Sequence, residues 1–366
     1  AWPPPRVAGD AVQIGDLIRV KPGIDHWELG QVPDVQGALV SISPNNGQLL
    51  ALVGGYDFRL NQVNRVLTSR PPGSNFKPFV YGAALEAGFS ASSTINDAPF
   101  ARGDYRPSNY ENNFLGPITL RHALKESRNI PTIRLFDELG SKQVLSFANR
   151  LGIRTQDFPS NDLTVALGSA DVQPLEMVTA YATLANGGFK VDPWFIEKIS
   201  TEADGALYRA RPAVVCPECG ALISEAEQPE NKAPRVLDER IAFIMNSMLR
   251  SVVEEGSGNR VQRDLRRSDL MGKTGTTNGP QELWFSGFNR DIATTVFVGF
   301  DQPQPLGERE QGATVAVPIW INFMRDALAG TPEVTMNRPN GIVDRLVDKQ
   351  TGVPATPGAA NSMFEY

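Results

Sequence analysis

The segment Arg70-Pro71-Pro72-Gly73-Ser74-Asn75-Phe76-Lys77-Pro78-Phe79 passes from a proline- and glycine-rich stretch into an apolar run that continues to Leu85. Proline and glycine interrupt regular structure, whereas the apolar run that follows favours a helix. The pattern therefore predicts that Ser74 lies at a helix start. Lys77, three residues further on, then falls on the same helical face as Ser74.

A serine in this position becomes a nucleophile only when a base removes its proton. Lys77 can be that base if it is neutral, which requires its pKa to fall from about 10.4 to near 7. Burial, the positive start of a helix and a second nearby cation all lower the pKa of a lysine. Taken alone, Ser-x-x-Lys is weak evidence, because about one match is expected by chance in a chain of this length.

A second motif, Ser127-Arg128-Asn129, stands two residues ahead of Pro131. We expect it at a helix-to-loop junction, where it presents a hydroxyl and an amide. The Ser127 hydroxyl can relay a proton between the lysine and a leaving group, and the Asn129 amide can hold a substrate peptide group.

A third motif, Lys273-Thr274-Gly275-Thr276, stands just ahead of a predicted hairpin. At a strand edge, the small Gly275 would let a substrate backbone lie alongside as an added strand. Lys273, Thr274 and Thr276 can bind a terminal carboxylate. The Thr276 N–H can supply one oxyanion donor, beside the N–H groups at the predicted helix start.

Strand patterns stand at both ends of the main region, and helical patterns lie between them. One hairpin is predicted around Pro44-Asn45-Asn46-Gly47 and another around Asn289-Arg290-Asp291. Predicted helices begin after Asp238, begin at Pro174, and cover residues 316–328. The sequence therefore predicts an α+β fold, with an antiparallel β-sheet flanked by helices and an all-helical lobe.

The order Ser-x-x-Lys, Ser-x-Asn, Lys-Thr-Gly is that of penicillin-binding proteins and related serine β-lactamases. The wider segments around these motifs resemble class A penicillin-binding proteins, and further similar segments are Asn64-Arg65, Ala166-Leu167-Gly168-Ser169, Ala185-Asn186-Gly187-Gly188-Phe189 and Gly272 to Asn278. Val191-Asp192-Pro193-Trp194-Phe195 together with Cys216-Pro217-Glu218-Cys219 is similar to the type 1a members from Gram-negative bacteria.

The resemblance implies three parts of the chain. Residues 37–330 would form the penicillin-binding transpeptidase domain. Residues 1–36 resemble the C-terminal part of an OB-like inserted module and form a short β-rich remnant, in which residues 12–20 have strand character. Residues 331–366 are predicted to be a C-terminal extension with little core.

The resemblance also implies a peptidoglycan DD-transpeptidase that forms an acyl-enzyme with D-Ala-D-Ala stem peptides, passes it to an amine of a neighbouring stem, and is blocked by β-lactams. No cofactor and no metal are implied. Catalytic roles carry over to Ser74, Lys77, Ser127, Asn129 and Lys273, and substrate or β-lactam binding to Thr274, Gly275 and Thr276.

In this family a membrane anchor and a glycosyltransferase domain accompany the transpeptidase domain, at the periplasmic face of the bacterial inner membrane. The chain starts Ala1-Trp2-Pro3-Pro4-Pro5 and carries no signal-peptide pattern or long apolar run. We therefore expect the anchor and the glycosyltransferase domain outside this chain.

Composition argues against other classes of protein. With 35 basic and 41 acidic residues the 366-residue chain is net −6, and it has no basic stripe for a nucleic-acid partner. Zinc needs about four ligands, and only Cys216 and Cys219 lie close together, far from His26 and His122 in sequence. A local disulfide or a thiol pair is therefore the better interpretation of the Cys-Pro-Glu-Cys motif.

Three alternative functions remain to be weighed. A class A β-lactamase would need a glutamate that activates water, and no Glu-x-x-Leu-Asn string occurs between Asn129 and Lys273. A β-lactam sensor would be acylated once and would release no D-Ala from a stem peptide. A Ser-His-Asp hydrolase lacks a Gly-x-Ser-x-Gly elbow, and His122 is better explained as a polar surface or capping histidine.

Overall fold

The computed structural model describes residues 6–201, 205–219, 228–359 and 361–366. Its strands are β1 (Arg19–Pro22), β2 (Trp27–Gly30), β3 (Gln36–Ile42), β4 (Leu49–Val53), β5 (Thr94–Asp97), β6 (Gly116–Thr119), β7 (Lys198–Thr201), β8 (Gly205–Arg209), β9 (Met271–Thr276), β10 (Glu282–Phe288), β11 (Ala293–Gly299), β12 (Arg345–Asp348) and β13 (Ser362–Glu365). Its α-helices are α1 (Lys77–Glu86), α2 (Leu120–Lys125), α3 (Asn129–Leu139), α4 (Ser141–Leu151), α5 (Pro174–Ala185), α6 (Glu239–Glu254), α7 (Arg260–Leu265) and α8 (Val317–Ala327).

A five-stranded antiparallel sheet joins the two ends of the main region in the order β4-β3-β11-β10-β9. The two predicted hairpins are β3–β4 and β10–β11, and β11 pairs with β3 so that Val296 lies opposite Leu39. The strand with Lys-Thr-Gly, β9, is one of the two edge strands, with Gly275 opposite Trp284. The predicted α+β class is therefore confirmed, and the sheet is assembled from distant parts of the chain.

Both faces of the sheet are covered, so its central strands carry apolar side chains on both sides. All seven residues of β10 are buried. Trp284 contributes to the larger core, together with α1, α5 and α6, whereas Phe285 belongs to the core under α8. There the Phe285 and Trp320 rings meet edge to face at 5.1 Å, and the Trp320 indole N–H donates to the Thr294 carbonyl at 3.1 Å.

Helix α1 forms the centre of the helical lobe, and every residue from Lys77 to Leu85 is buried. Such a helix is apolar on all sides because other elements surround it, here including α3, α4 and α6. Its boundaries and those of other helices follow local signals. The Asp238 side chain accepts from the Arg240 N–H at the start of α6, and Pro174 opens α5.

The two terminal parts of the chain depart from the sequence expectations. Strand β1 begins at Arg19, so most of the strand predicted over residues 12–20 is wrong; Ile14 and Leu17 are fully exposed there.

Residues 331–366 also contain more core than predicted. Strands β12 and β13 pair, and Val347 and Glu365 are buried. The domain boundaries at residues 36 and 330 stay predictions, and residues 1–5 lie outside the described part.

An ion pair attaches this C-terminal segment to the helical lobe. The Arg121 guanidinium in α2 contacts both carboxylate oxygens of Glu365, with Nε to Oε2 at 2.6 Å. It also donates to the Ser247 carbonyl and to the Ser251 hydroxyl in α6. Both charged side chains are buried, so each depends on the other for compensation of its lost hydration.

Removing the charge of Glu365 should therefore destabilise the folded protein. We expect Glu365→Gln to lower the free energy of unfolding by about 3 kcal/mol, because it leaves the Arg121 charge buried without a counter-ion. Denaturant unfolding measures the change. Asp344→Asn removes the exposed partner of Arg338 and should cost under about 1 kcal/mol. Equal small losses in both variants would contradict the expectation.

Candidate active site

Ser74 lies in a short 3₁₀ turn, Gly73–Phe76, that leads directly into α1. Its position at a helix start is as predicted. The turn packs against the end of β9, because Gly73 has φ +54° and a Cβ there would stand 2.6 Å from the Thr276 carbonyl oxygen. The Gly73 N–H donates to the Gly168 carbonyl at 3.1 Å. Backbone contacts on two sides thus fix the turn that carries Ser74.

Gly275 allows a further close approach to the same turn. A Cβ at Gly275 would stand 2.3 Å from the Pro72 carbonyl oxygen and 2.9 Å from the Asn75 Cβ. The Ser74 segment fills the space that a side chain at Gly275 would need, so this packing requires glycine. The expected pairing of a substrate backbone with the strand edge stays a prediction. The Asn75 amide also donates to the Lys273 carbonyl at 3.0 Å. Gly275 therefore sets the distance between Ser74 and the sheet edge.

Lys77 is completely buried, and oxygens of the second motif surround its amine. Its Nζ lies 2.5 Å from the Ser127 carbonyl, 2.8 Å from Asn129 Oδ1, 3.2 Å from the Arg128 carbonyl and 3.4 Å from the Ser127 hydroxyl. Burial, and then the positive charge of Lys273, hold the pKa of Lys77 well below its usual value. The direction is the one that a lysine base requires.

Ser127 connects the two lysines from a strained backbone position. It follows α2 with φ +56°, where the N–H of Arg128 donates to the Ala123 carbonyl and the N–H of Ser127 to the Leu124 carbonyl. This is the Schellman arrangement, in which glycine is the usual residue. Ser127 therefore lies at a helix end, as expected, but only a short turn follows it, because α3 begins at Asn129. The left-handed conformation explains how a single residue can present its carbonyl and its hydroxyl to two different lysines.

Lys273 reaches the same hydroxyl from the sheet side. Its buried Nζ donates to Ser127 Oγ at 2.8 Å and to the Thr274 carbonyl at 3.1 Å. Burial lowers the pKa of Lys273 to about 7. The Thr276 hydroxyl accepts from the Gly312 N–H at 3.0 Å, so its own proton remains available to a ligand.

A cleft of about 780 Å³ lies over this network. Of the predicted residues, Ser74, Ser127, Asn129, Thr274 and Thr276 line it. Lys77, Lys273 and Gly275 lie buried beneath. Within the described residues the Ser74 hydroxyl accepts and donates no hydrogen bond, which leaves it open to a ligand. The roles of all eight residues stay predictions.

Ser257 is a cleft residue that the sequence did not reveal. It stands between Gly256 and Gly258, and its hydroxyl lies 2.9 Å from Thr274 Oγ1 and faces the cleft. The turn is held by the Ser257 N–H, which donates to the Lys125 carbonyl at the end of α2. No local pattern marks such a residue, because its importance arises from a contact with a strand 17 residues further on.

Arg128 is a second residue without a sequence signal, since any side chain can occupy the middle of Ser-x-Asn. It is buried, and its guanidinium contacts Asp97 at 2.7 Å, Glu111 at 2.9 Å and the Asn113 carbonyl at 2.7 Å. The buried Asn109 joins the same network by accepting from the Asn129 N–H at 2.9 Å. These contacts hold residues 105–111 as a wall of the cleft.

The cysteine pair and His122, the remaining candidates from the sequence, are not among the residues that line this cleft. Cys216 and Cys219 form a disulfide, so the local-disulfide interpretation is confirmed. His122 is half-buried in α2, and burial lowers its pKa. Within the described ranges, no cluster of three metal-binding side chains occurs and no helix is long and apolar enough to cross a bilayer.

An antiparallel sheet whose edge strand carries Lys-Thr-Gly, facing a helical lobe with Ser-x-x-Lys and Ser-x-Asn, is the arrangement of penicillin-binding proteins and related serine β-lactamases. Comparison with known sequences agrees. The family model described as the penicillin binding protein transpeptidase domain matches residues 37–325. The chain belongs to this family of penicillin-binding transpeptidase domains.

Its curated relatives include penicillin-binding protein 1A of Pseudomonas aeruginosa, 42% identical over 99% of this chain and 49% of that protein. Penicillin-binding protein 1A of Escherichia coli is 35% identical over 100% of this chain and 50% of that protein. The chain thus spans about half the length of these relatives. The resemblance to type 1a members is confirmed.

Solved structures share the fold. The crystal structure of penicillin-binding protein 1A from Haemophilus influenzae has a TM-score of 0.88 and 33% identity, covering 96% of this chain and 56% of that chain. The PonA1 protein from Mycobacterium tuberculosis, in complex with penicillin V, has a TM-score of 0.72 and 25% identity, covering 86% of this chain and 83% of that chain.

The left-handed conformation of Ser127 should have a measurable cost. Ser127→Gly and Ser127→Ala both remove the hydroxyl, but only glycine tolerates φ +56° without strain. We expect the glycine variant to be more stable than the alanine variant by about 1 kcal/mol. Denaturant unfolding of the two variants side by side measures the difference. Equal stability would show that the position is unstrained.

Proposed function

We propose that this chain is a peptidoglycan DD-transpeptidase in which Ser74 attacks the penultimate D-Ala carbonyl of a stem peptide and releases the terminal D-Ala. The observation that carries the proposal is the meeting of two buried lysines at Ser127, beneath the cleft that Ser74 lines. This arrangement offers a base of lowered pKa and an anion-binding cation within one hydrogen-bond network.

In the acylation step, neutral Lys77 takes the Ser74 proton as the Ser74 oxygen bonds to the carbonyl carbon. The backbone N–H groups of Ser74 and Thr276 stabilise the oxyanion. The C–N bond then breaks, and the proton passes from Lys77 through the Ser127 hydroxyl to the departing amine. The 3.4 Å and 2.8 Å contacts of Ser127 with the two lysines support this route.

Recognition of the donor rests on its terminal carboxylate, which a penicillin also carries. Charged Lys273 supplies the electrostatic attraction, and the hydroxyls of Thr274, Thr276 and Ser257 donate to the carboxylate oxygens. The Thr274–Ser257 contact and the Gly312 N–H that binds Thr276 orient these hydroxyls. A solved relative, PonA1, binds penicillin V, which supports covalent inhibition of this chain by β-lactams.

The acyl group then passes to an amine of a neighbouring stem, which in a Gram-negative wall belongs to diaminopimelate. A β-lactamase would instead need a carboxylate able to activate water. Glu282, a cleft carboxylate, has both oxygens enclosed and lies 3.6 Å from the Arg70 guanidinium in the segment that leads to Ser74. Glu282 is therefore not placed to activate water. Glu111 and Glu126 also line the cleft and are exposed, so the persistence of the penicillin adduct is what distinguishes amine transfer from hydrolysis.

The remaining features of the family are proposals for the full-length protein. They are a glycosyltransferase domain, a membrane anchor and a location at the periplasmic face of the inner membrane. The stem peptides of peptidoglycan and β-lactam antibiotics are the proposed ligands of this chain. This chain matches about half the length of each penicillin-binding protein 1A relative. That share is consistent with the transpeptidase part of a bifunctional enzyme.

The direct test is intact-mass measurement after incubation with a penicillin. We expect one covalent adduct on the parent chain that persists for many minutes, and none on Ser74→Ala, because acylation requires the hydroxyl. Release of D-Ala from a stem-peptide mimic should accompany it. Rapid turnover of the penicillin would indicate a β-lactamase, and an adduct without D-Ala release would indicate a sensor.

A pH dependence follows from Lys273. Its pKa of about 7 means that its charge, and with it the carboxylate attraction, is lost as the pH rises through that value. The second-order rate constant of penicillin acylation should therefore fall above about pH 7. A penicillin methyl ester, which has no carboxylate, serves as the control and should lack this decline. An identical decline with the ester would contradict the role of Lys273.

A further inference from the structure

Three basic side chains are buried in or beside the second motif, and two of them, Lys273 and Arg128, are positive in the proposed mechanism, which creates a difficulty for an incoming amine. Lys77, Lys273 and Arg128 all contact Ser127 or flank it. An acceptor amine approaches as a positive ammonium group at neutral pH, because alkylamines have pKa values near that of lysine, about 10.4. Bringing a further cation into this region requires a carboxylate that can bind it.

Among the described residues, the carboxylates that line the cleft are Glu111, Glu126 and Glu282. Glu282 is only 2% exposed, so an ammonium group cannot reach its oxygens. Burial raises the pKa of Glu282 to about 7, which leaves it partly uncharged as well. Glu126 ends α2, where the helix dipole is negative, and its carboxylate already lies 3.7 Å from Lys125.

Glu111 differs from both. Its side chain is 52% exposed, yet one of its oxygens, Oε2, accepts from Arg128 Nη1 at 2.9 Å. Arg128 is itself fixed by Asp97 and by the Asn113 carbonyl, so it holds the Glu111 carboxylate in one orientation. The second oxygen, Oε1, takes part in no hydrogen bond or ion pair with the described residues. Glu111 is therefore an oriented, accessible anion within the cleft.

The charge of Glu111 also acts on Lys77, the proposed base. Of the three cleft carboxylates, it is the one whose charge raises the pKa of Lys77 against the lowering effects of burial, Lys273 and Arg128. An ammonium group bound to Glu111 would cancel that attraction. Lys77 would then lose its proton more readily, which is the state needed for the second half of the reaction.

We infer that Glu111 binds the ammonium group of the acceptor, a primary amine such as the side-chain amine of a diamino acid. This rests on the proposed transpeptidase function. The bound ammonium gives one proton to neutral Lys77, and the amine forms a C–N bond at the acyl carbon. The ester bond to Ser74 breaks, Lys77 returns its proton to the Ser74 oxygen, and the second amine proton leaves to solvent.

Glu111→Gln tests the inference, because it removes the charge and keeps an oxygen for Arg128. The acyl-enzyme is formed from a D-Ala-D-Ala-type thioester donor, and transfer to diaminopimelate is compared with hydrolysis. We expect the diaminopimelate concentration needed for half-maximal transfer to rise by at least about tenfold. Transfer to hydroxylamine, which is uncharged at neutral pH, should remain as in the parent. Glu126→Gln is the matched control and should behave as the parent.

Penicillin acylation of Ser74, measured in the parent and in Glu111→Gln, distinguishes a failure of the proposed transpeptidase function from a failure of the inference about Glu111. If neither the parent nor the variant is acylated, the proposed function fails. If Glu111→Gln is acylated at the parental rate but transfers to diaminopimelate as well as the parent does, the inference fails alone. It also fails if Glu126→Gln shows the loss instead, or if transfer to hydroxylamine falls equally, because the effect would then not depend on the acceptor charge.

Discussion

The site depends on two buried lysine amines that share one serine hydroxyl. Lys77 Nζ lies 3.4 Å from Ser127 Oγ, and Lys273 Nζ lies 2.8 Å from the same oxygen. The distance between the two amine nitrogens is therefore at most the sum of these two distances. Two positive charges at that separation repel by about 3 kcal/mol at an effective dielectric constant of about 20. The repulsion favours one proton fewer on the pair. One amine can then act as a base while the other remains an anion-binding cation.

Several close backbone contacts make this sharing possible. Ser127 adopts a conformation that glycine normally occupies, and Gly73 and Gly275 allow the Ser74 turn to touch the edge strand. Because the sheet and the helical lobe meet at these points without intervening side chains, a change of one methyl group would separate the motifs. The strain at Ser127 persists because the surrounding contacts determine its conformation.

The sequence predicted what local patterns and motif order can specify. The two hairpins, the Asp238 cap, the Pro174 helix start and the position of Ser74 before α1 all follow from spacing and turn residues. What it did not predict depends on contacts between remote segments. Ser257 matters because its turn lies beside Thr274. The strand expected over residues 12–20 was wrong because its alternating apolar side chains face no partner in the described chain.

Helix α2, which ends two residues before Ser127, is held by buried arginines at both ends. Arg121 pairs with Glu365 from the C-terminal segment, and Arg128, just beyond the helix, pairs with Asp97 from β5. Buried ion pairs contribute little net stability relative to apolar residues, because desolvation offsets their attraction. They do require one geometry, since a misplaced guanidinium would leave charges unpaired. We therefore interpret the two pairs as fixing the orientation of α2, which allows Ser127 to tolerate its strained backbone and reach both lysines.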